Sequence, residues 1–507
     1  MRKSASALLA VLLLFAIATV VISQSDPEVS GLMPLLSRDN QKAPPDSGRT
    51  LLVLSQPITD ATLAELASYG KIHQVLKRSN IVAITPRGKS ERAALAKLPY
   101  VRSLEADQPR FLDQNTASWD RDILDVHNVE EDGVIGTPDP REVPQTGAGV
   151  HVAVIDSGLI KNWRDFLVES RVRTDLARSF MGGGATAENF VPGPTAPTVD
   201  PTHLWERDTS SHGTAVASHI IGFKIGARVV EGVAPDAKLI PLKVFPNGEA
   251  FTWSSHVLAA IEYVVDLKTS GEIGPVVINM SLSGGVPVFS ERAVIQDAIA
   301  NGVIVVASAG NSGEAGMGWP AAFPEMISVG ATGWNRQFLP ASGGAPNTAF
   351  WWTRDVPNDP DGSGPLESTE SFVATFSSRA IPARSVPFGV PPQELDVLAP
   401  GNWTVAPGGN QGNAAFFFWT GTSFSSPLTA GVAALLLEKN NNLTQSQVEA
   451  ILKSTALPLS PNDARVGILE INGVLVTVSW DTNCRGQLCD PVGAGLVQAD
   501  AALNAVP

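Results

Sequence analysis

Residues 119–505 of this 507-residue chain predict an α/β domain built on a parallel sheet with helices on both faces, and the stretch before it predicts a small α+β unit. Three observations carry this. Runs such as "VHVAVID" (150–156) and "VIVVASAGN" (303–311) are apolar without alternation, as strands buried on both faces are. Segments of helical period lie between these runs, the spacing of βαβ units. Ahead of them, about 60 residues read β-α-β-β-α-β, the split βαβ arrangement.

In chain order, Arg2 and Lys3 precede the apolar run "ALLAVLLLFAIATVVI", and Ser23, Gln24 and Ser25 follow it. A basic head, apolar middle and polar exit make a secretory signal. The run is short for a span of about 20 residues and has no basic flank after it, so cleavage is expected rather than a stable membrane anchor. Residues 1–23 are therefore read as a signal peptide of an exported protein, and 24–48, rich in Pro, Ser and Gly, as a linker. Within 49–112, "TLLVLS" is a strand and "DATLAELASYG" a helix with Asp60 as its cap. "KIHQVLKR" and "NIVAITP" are strands, "GKSERAALAKLP" a helix and "VRSLEAD" the last strand. The tail "QPRFLDQNTASW" (108–119) carries no signal for regular structure.

Beyond it, "AKLIPLKVF" (237–245), "PVVINMSLS" (275–283), "VIVVASAGN" and "MISVGAT" read as strands. "SSHVLAAIEYVVDLK", "ERAVIQDAIANG", the apolar stretch from Ser423 to about Lys439 and "TQSQVEAILKSTA" read as helices. Two stretches, 182–201 and 333–372, are long, rich in Gly, Pro and Asp, and look inserted. The formal net charge of −14 argues against nucleic acid or an anionic membrane surface as partner. The only two cysteines, Cys484 and Cys489, are read in an exported chain as a disulfide that closes a short loop; a metal site would need further ligands, and no His or other Cys lies near them in sequence.

Four polar residues stand where such a sheet forms its sites. Asp156 ends an apolar strand, His212 opens a helix in "SSHGTAVASHIIG", Asn311 ends the strand "VIVVASAGN", and Ser423 stands in "GTSFSSP" before an apolar helix. Each also has an ordinary reading: a turn Asp, a structural His, a turn Asn and a helix-start Ser. Together, Asp156, His212 and Ser423 stand in one of the known orders of a serine triad. The G-x-S-x-G elbow with a Ser, Asp, His order does not fit, because residues 421–425 read G-T-S-F-S and no His follows Ser423.

With "VIDSG", "SHGTAVAS", "NMSLS", "ASAGN", "LAPG", "GTSFSSP" and "GAGLVQADAA" in this order over roughly residues 49–505, the chain resembles the subtilisin-like serine proteases. The resemblance implies Asp156 as the acid, His212 as the base, Ser423 as the nucleophile and Asn311 as the oxyanion amide. It implies an extended substrate along 280–284, with Ser281, Leu282, Ser283, Gly310 and Gly318 lining its site. It makes 49–112 an inhibitory propeptide and 119–505 the peptidase domain, with self-cleavage between Phe111 and Trp119. Polypeptide substrates, the chain's own propeptide as inhibitor, a monomer and no required cofactor follow; the resemblance admits structural calcium, for which no ligand set can be numbered. A protease-like binding protein without activity is the alternative. The chain departs from the family pattern at Ala215, Ser218, Phe424 and Leu428, and carries Ser283 where many members have Gly.

Overall fold

The computed structural model describes residues 48–107, 109–112, 120–121, 123–124, 126, 141–180, 204–225, 228–335, 370–409, 415–468 and 475–507. The expected signal peptide, residues 24–47 of the expected linker, residues 113–119, the loop 182–201 and most of 333–372 lie outside these.

The first unit comprises β1 (Thr50–Leu54), α1 (Asp60–Ala67), β2 (Gly70–Leu76), β3 (Ile81–Pro86), α2 (Lys89–Leu95) and β4 (Val101–Ala106). Its four strands form an antiparallel sheet in the order β2-β3-β1-β4. The period of two along the strands divides the sheet's faces. Leu52, Leu54, Val82 and Ile84 pack with Leu63, Leu66 and Leu95 from the unit's own helices. Leu51, Leu76, Ile81 and Ala83 instead join a core in the following domain. The cap of α1 is Thr59, extended at φ −114° and accepting from Thr62 N, and not Asp60, which is the first helical residue and sits where the helix dipole favours an acid.

The tail that carries no local signal is a strand nonetheless. β5 (Pro109–Leu112) is inserted between β11 (Phe251–Trp253) and β13 (Leu282–Ser283), antiparallel to both. Its conformation comes from these two partners and not from its own pattern.

The large domain is centred on an eight-stranded sheet in the order β16-β15-β14-β12-β6-β10-β7, with β17 paired to β15. Its strands are β6 (His151–Asp156), β7 (Arg178–Ser179), β10 (Lys238–Lys243), β12 (Val276–Met280), β14 (Val303–Ser308), β15 (Ile327–Trp334), β16 (Ser371–Val373) and β17 (Val397–Pro400). All pairings are parallel except β15 with β16, an antiparallel edge. Alternate residues face two layers. Val152, Val154, Val277, Ile304 and Val306 pack with α3 (His212–Ile221), α6 (Thr422–Lys439), α7 (Gln445–Thr455) and α8 (Ala499–Asn504). Ala153, Ile155, Ile278 and Val305 pack with α4 (Ser254–Thr269) and α5 (Phe289–Ala300). Helix α6 is buried from Thr422 through Leu437, which accounts for its being apolar all round.

Four hairpins complete the domain: β8 (Phe223–Ile225) with β9 (Arg228–Val230), β18 (Thr404–Gly408) with β19 (Ala415–Trp419), β20 (Asp463–Ile468) with β21 (Leu475–Trp480), and β22 (Asn483–Cys484) with β23 (Gln487–Leu488). The last is closed by the Cys484–Cys489 disulfide. Among the described residues no helix is long and apolar enough to cross a membrane.

Candidate active site

In a parallel sheet the C-terminal strand ends lie along one edge, and the expected residues gather there. Asp156 is the last residue of β6, Ser281 follows β12, and Asn311 lies just beyond β14. His212 begins α3 after Ser211, a residue in the left-handed region at φ 68°. Its Nδ1 lies 2.8 Å from Asp156 Oδ1 and 3.0 Å from Oδ2, with both side chains buried. An ionised carboxylate only accepts, so Nδ1 carries the proton and the Nε2 lone pair is the basic end. Ser157 N donates to the same Asp156 Oδ1 at 2.6 Å, fixing the carboxylate from a second side.

Ser423 lies in the first turn of α6, which starts after Gly421 at φ 156°. The next residue, Phe424, sets its ring 5.4 Å from that of His212, and Trp419 meets the imidazole edge-on at 6.3 Å. The aromatic residue at 424 thus packs the helix start against the imidazole. Ser281 Oγ donates to Ser423 O at 2.7 Å, and Ser423 Oγ approaches Ser281 O at 3.4 Å. Asn311 Oδ1 accepts from both Thr422 N and Thr422 Oγ1, each at 2.9 Å. With its oxygen engaged there, the amide NH2 is the end directed away from Thr422.

β5 runs beside this site, pairing Leu112 with Leu282 and Phe111 with Ser283. Ser283 packs on Gly318: a methyl group built on that glycine would stand 2.6 Å from Ser283 Cβ. One built on Gly310 would stand 3.5 Å from Ser283 Oγ and 3.1 Å from Ser378 Oγ. The expected substrate-binding residues therefore converge, and the Ser283 side chain occupies the space between two glycine backbones. Among the described residues no group of three or more His, Cys, Asp or Glu is placed to hold a metal ion.

Several supporting residues escape a reading of the sequence. Asn279 bridges Ser426 Oγ, from which it accepts at 2.7 Å, and Ser281 Oγ, to which it donates at 3.0 Å. Thr422 donates to Asn311, and Ser157, which bonds Asp156 through its N–H, also bonds Asp208 and Lys243. Asn279, Thr422 and Ser157 sit inside the matched stretches "NMSLS", "GTSFSSP" and "VIDSG"; a Lys closing the apolar run "LIPLK" was the other available signal.

The small unit also holds the helices of this edge. Asp107 accepts from Ser255 N (3.0 Å), Ser255 Oγ (2.7 Å) and Arg49 Nε (2.9 Å), and Glu105 accepts from Ser290 N (3.0 Å) and Ser290 Oγ (2.8 Å). Ser79 donates through N and Oγ to Glu262 on α4, whose carboxyl is pushed up to about 7 chiefly by burial.

Residues 147–480 match the model of the subtilase family. The chain belongs to that family. This subtilase is 31% identical over 319 residues to subtilisin E of Bacillus subtilis (strain 168), spanning 61% of each chain, and thus covers less than two thirds of that relative. An extracellular serine proteinase of Thermus sp. (strain Rt41A) is 29% identical over 372 residues, 73% of the subtilase and 69% of that protein. Fervidolysin from Fervidobacterium pennivorans, described as a keratinolytic enzyme related to subtilisin, superposes with a TM-score of 0.59 at 21% identity over 91% of the subtilase and 61% of its own chain, a likeness of fold.

Proposed function

We propose that the chain is a secreted serine endopeptidase made as a self-processing zymogen. The observation that carries the catalytic reading is the buried Asp156–His212 hydrogen bond beside the start of the Ser423 helix. In this reading Ser423 Oγ attacks a peptide carbonyl while His212 Nε2 takes its proton, and Asp156 holds the imidazole and stabilises the imidazolium. The Asn311 amide and the Ser423 backbone N–H receive the oxyanion. His212 then protonates the leaving amine, and water, activated in the same way, releases the acyl group from Ser423. The chemistry needs no organic cofactor.

Export is supported by the N-terminal pattern of Arg2 and Lys3, an apolar run and a polar exit, and by the extracellular relative. The zymogen reading is supported by β5, which occupies the edge of β13 as an extended substrate would. In its register Leu112 pairs with Leu282, the neighbour of Ser281, which is bonded to Ser423. This favours cleavage just beyond Leu112, between Asp113 and Gln114, within the expected 111–119 window.

A fluorophosphonate probe tests the catalytic reading: it is expected to label the parent and not Ser423→Ala. N-terminal sequencing of the protein secreted from a host lacking other proteases tests the processing. The parent is expected to begin at Gln114 and Ser423→Ala at about residue 24. Equal N-termini would refute self-processing, and an unlabelled parent would favour the inactive binding protein.

A further inference from the structure

Lys243 ends β10 in register with Asp156 on the neighbouring parallel strand. Its side chain is fully buried, a setting in which an ammonium group needs partners. It donates to the Ser157 carbonyl and lies 3.9 Å from Asp208 Oδ1. Its stem covers Gly158, where a methyl group would stand 3.1 Å from both Lys243 Cβ and Cδ. Asp208 accepts from Ser157 Oγ at 2.9 Å, Ser210 N at 2.9 Å and Ser210 Oγ at 3.0 Å. Ser157 Oγ accepts from Gly213 N at 2.8 Å, and Ser210 Oγ accepts from His212 N at 3.3 Å. The turn that follows Asp156 and the turn that leads into His212 are therefore tied together through Lys243, Ser157 and Asp208.

We propose that Lys243, paired with Asp208, is a positioning residue for the catalytic pair, holding the turn that follows Asp156 so that its carboxylate stays aimed at His212 Nδ1. The inference rests on the triad reading and extends it to two residues that the reaction scheme does not use. Asp156 and Asp208 are both buried, and the Lys243 ammonium adds a buried cation that faces Asp208 from the strand next to Asp156. Burial pushes the Lys243 ammonium down and the Asp208 carboxyl up, while their mutual attraction opposes both shifts and Asp156 adds to the attraction on Lys243.

Charged groups on the neighbouring elements have partners of their own, among them Glu206, which lies 3.1 Å from Arg164. On α3, His219 Nε2 lies 3.2 Å from Asp120 Oδ2, and Arg121 Nη2 reaches the Ser218 carbonyl. On β7, Arg178 donates to the carbonyls of Asp175 and Ala177. The start of α6 presents only neutral side chains, Thr422 through Ser426.

A fixed cation disfavours the imidazolium, so its removal raises the pKa of His212 and moves the acidic limb of the kcat/KM profile to higher pH. Removing the Asp208 charge acts in the opposite sense, and removing both charges nearly cancels. The test compares the parent with Lys243→Met, Lys243→Arg, Asp208→Asn and the Lys243→Met/Asp208→Asn pair, each normalised by fluorophosphonate titration of active sites. Lys243→Met is expected to lower kcat about tenfold or more, change KM by less than about threefold, and raise the limb by roughly 0.5–1 pH unit. Lys243→Arg is expected to restore the limb, Asp208→Asn to lower it, and the paired variant to return it to the parent position. NMR titration of the His212 Nδ1 proton reads the same ionisation without turnover.

A lower kcat with an unmoved limb in Lys243→Met would make the role merely structural and overturn the proposal. If that variant does not fold, a limb in Asp208→Asn that stays at the parent position overturns it equally. Failure of the triad reading is distinct: it appears as a parent chain that the probe does not label.

Discussion

Asp107→Ala is expected to loosen the hold of the small unit on the large domain by two to three orders of magnitude. Neither α4 nor α5 has a side-chain cap of its own. Asp107 and Glu105 supply carboxylates to the backbone N–H groups of Ser255 and Ser290 near the two helix starts. Asp107 is 3% exposed, and its bonds to Ser255 N and Ser255 Oγ cross between the units, while Arg49, 4.7 Å over the Trp253 ring, adds a third crossing bond to Ser255 Oγ at 2.7 Å. A hydrogen bond to a charged group contributes about 1.5–3 kcal/mol, and a helix dipole about 0.3–1. The Asp107–Arg49 pair lies within the small unit and survives separation, so only the crossing bonds count. Allowing for non-additivity, the loss is about 3–4 kcal/mol, or roughly 10²–10³ in the dissociation constant. Glu105 makes two similar bonds but is half-buried, so water competes and Glu105→Ala is expected to cost only about 1 kcal/mol, roughly fivefold. On the proposed function, the assay follows the appearance of peptidase activity after dilution of the cleaved, still-associated protein, with the active fraction measured by probe titration. If Asp107→Ala releases activity at the parent rate, or if Glu105→Ala has the larger effect, the burial argument is wrong.

Glu262 gives the same association a pH dependence. Its carboxyl is pushed up to about 7 while covered by Ser79 and returns to about 4.3 in water, so the associated form holds an extra proton between these values. This contribution is full below the lower value and lost as pH rises through about 7; release rates measured from pH 5 to 9 are expected to climb, and Glu262→Gln to flatten the climb. Ser283→Gly is expected to raise kcat/KM for peptides with Phe or Leu before the scissile bond, relative to Ala, about tenfold or more, because the Ser283 side chain packs against Gly318. An unchanged ratio on a peptide library would remove Ser283 from the specificity site. Finally, the denatured, unreduced protein is expected to show no titratable thiol, consistent with the Cys484–Cys489 bond, and two thiols would contradict it.

What could be read from the chain, and what could not, follows from the range over which each interaction acts. β6, β12 and β14 were legible because burial on both faces leaves a mostly apolar run without alternation, a property of five or six consecutive residues. Asp156 and Asn311 stood out as candidates only through the order of the whole set, since each alone resembles an ordinary turn residue. At α1, two neighbouring residues could both cap, and the extended backbone of Thr59 decides between them in a way that composition does not reveal.

β5 is the opposite case from β6. Its four residues show no decisive period, and its strand character is supplied by β11 and β13, the latter lying well over a hundred residues away. Lys243 is similar, because a Lys at the end of an apolar strand ordinarily reaches solvent. Its burial depends on Asp208 and on the turn at Ser157, whose separation along the chain from Lys243 is 86 residues. The contacts that assemble the site are longer still: Ser281 meets Ser423 across 142 positions, and Asp107 meets Ser255 across 148. A window of ten or fifteen residues records which side chains must be buried, but it holds no information about which distant polar group will satisfy them. The chemistry of this protein is therefore legible where it lies at the end of a strand, and its electrostatic support becomes legible only when the strands are laid side by side.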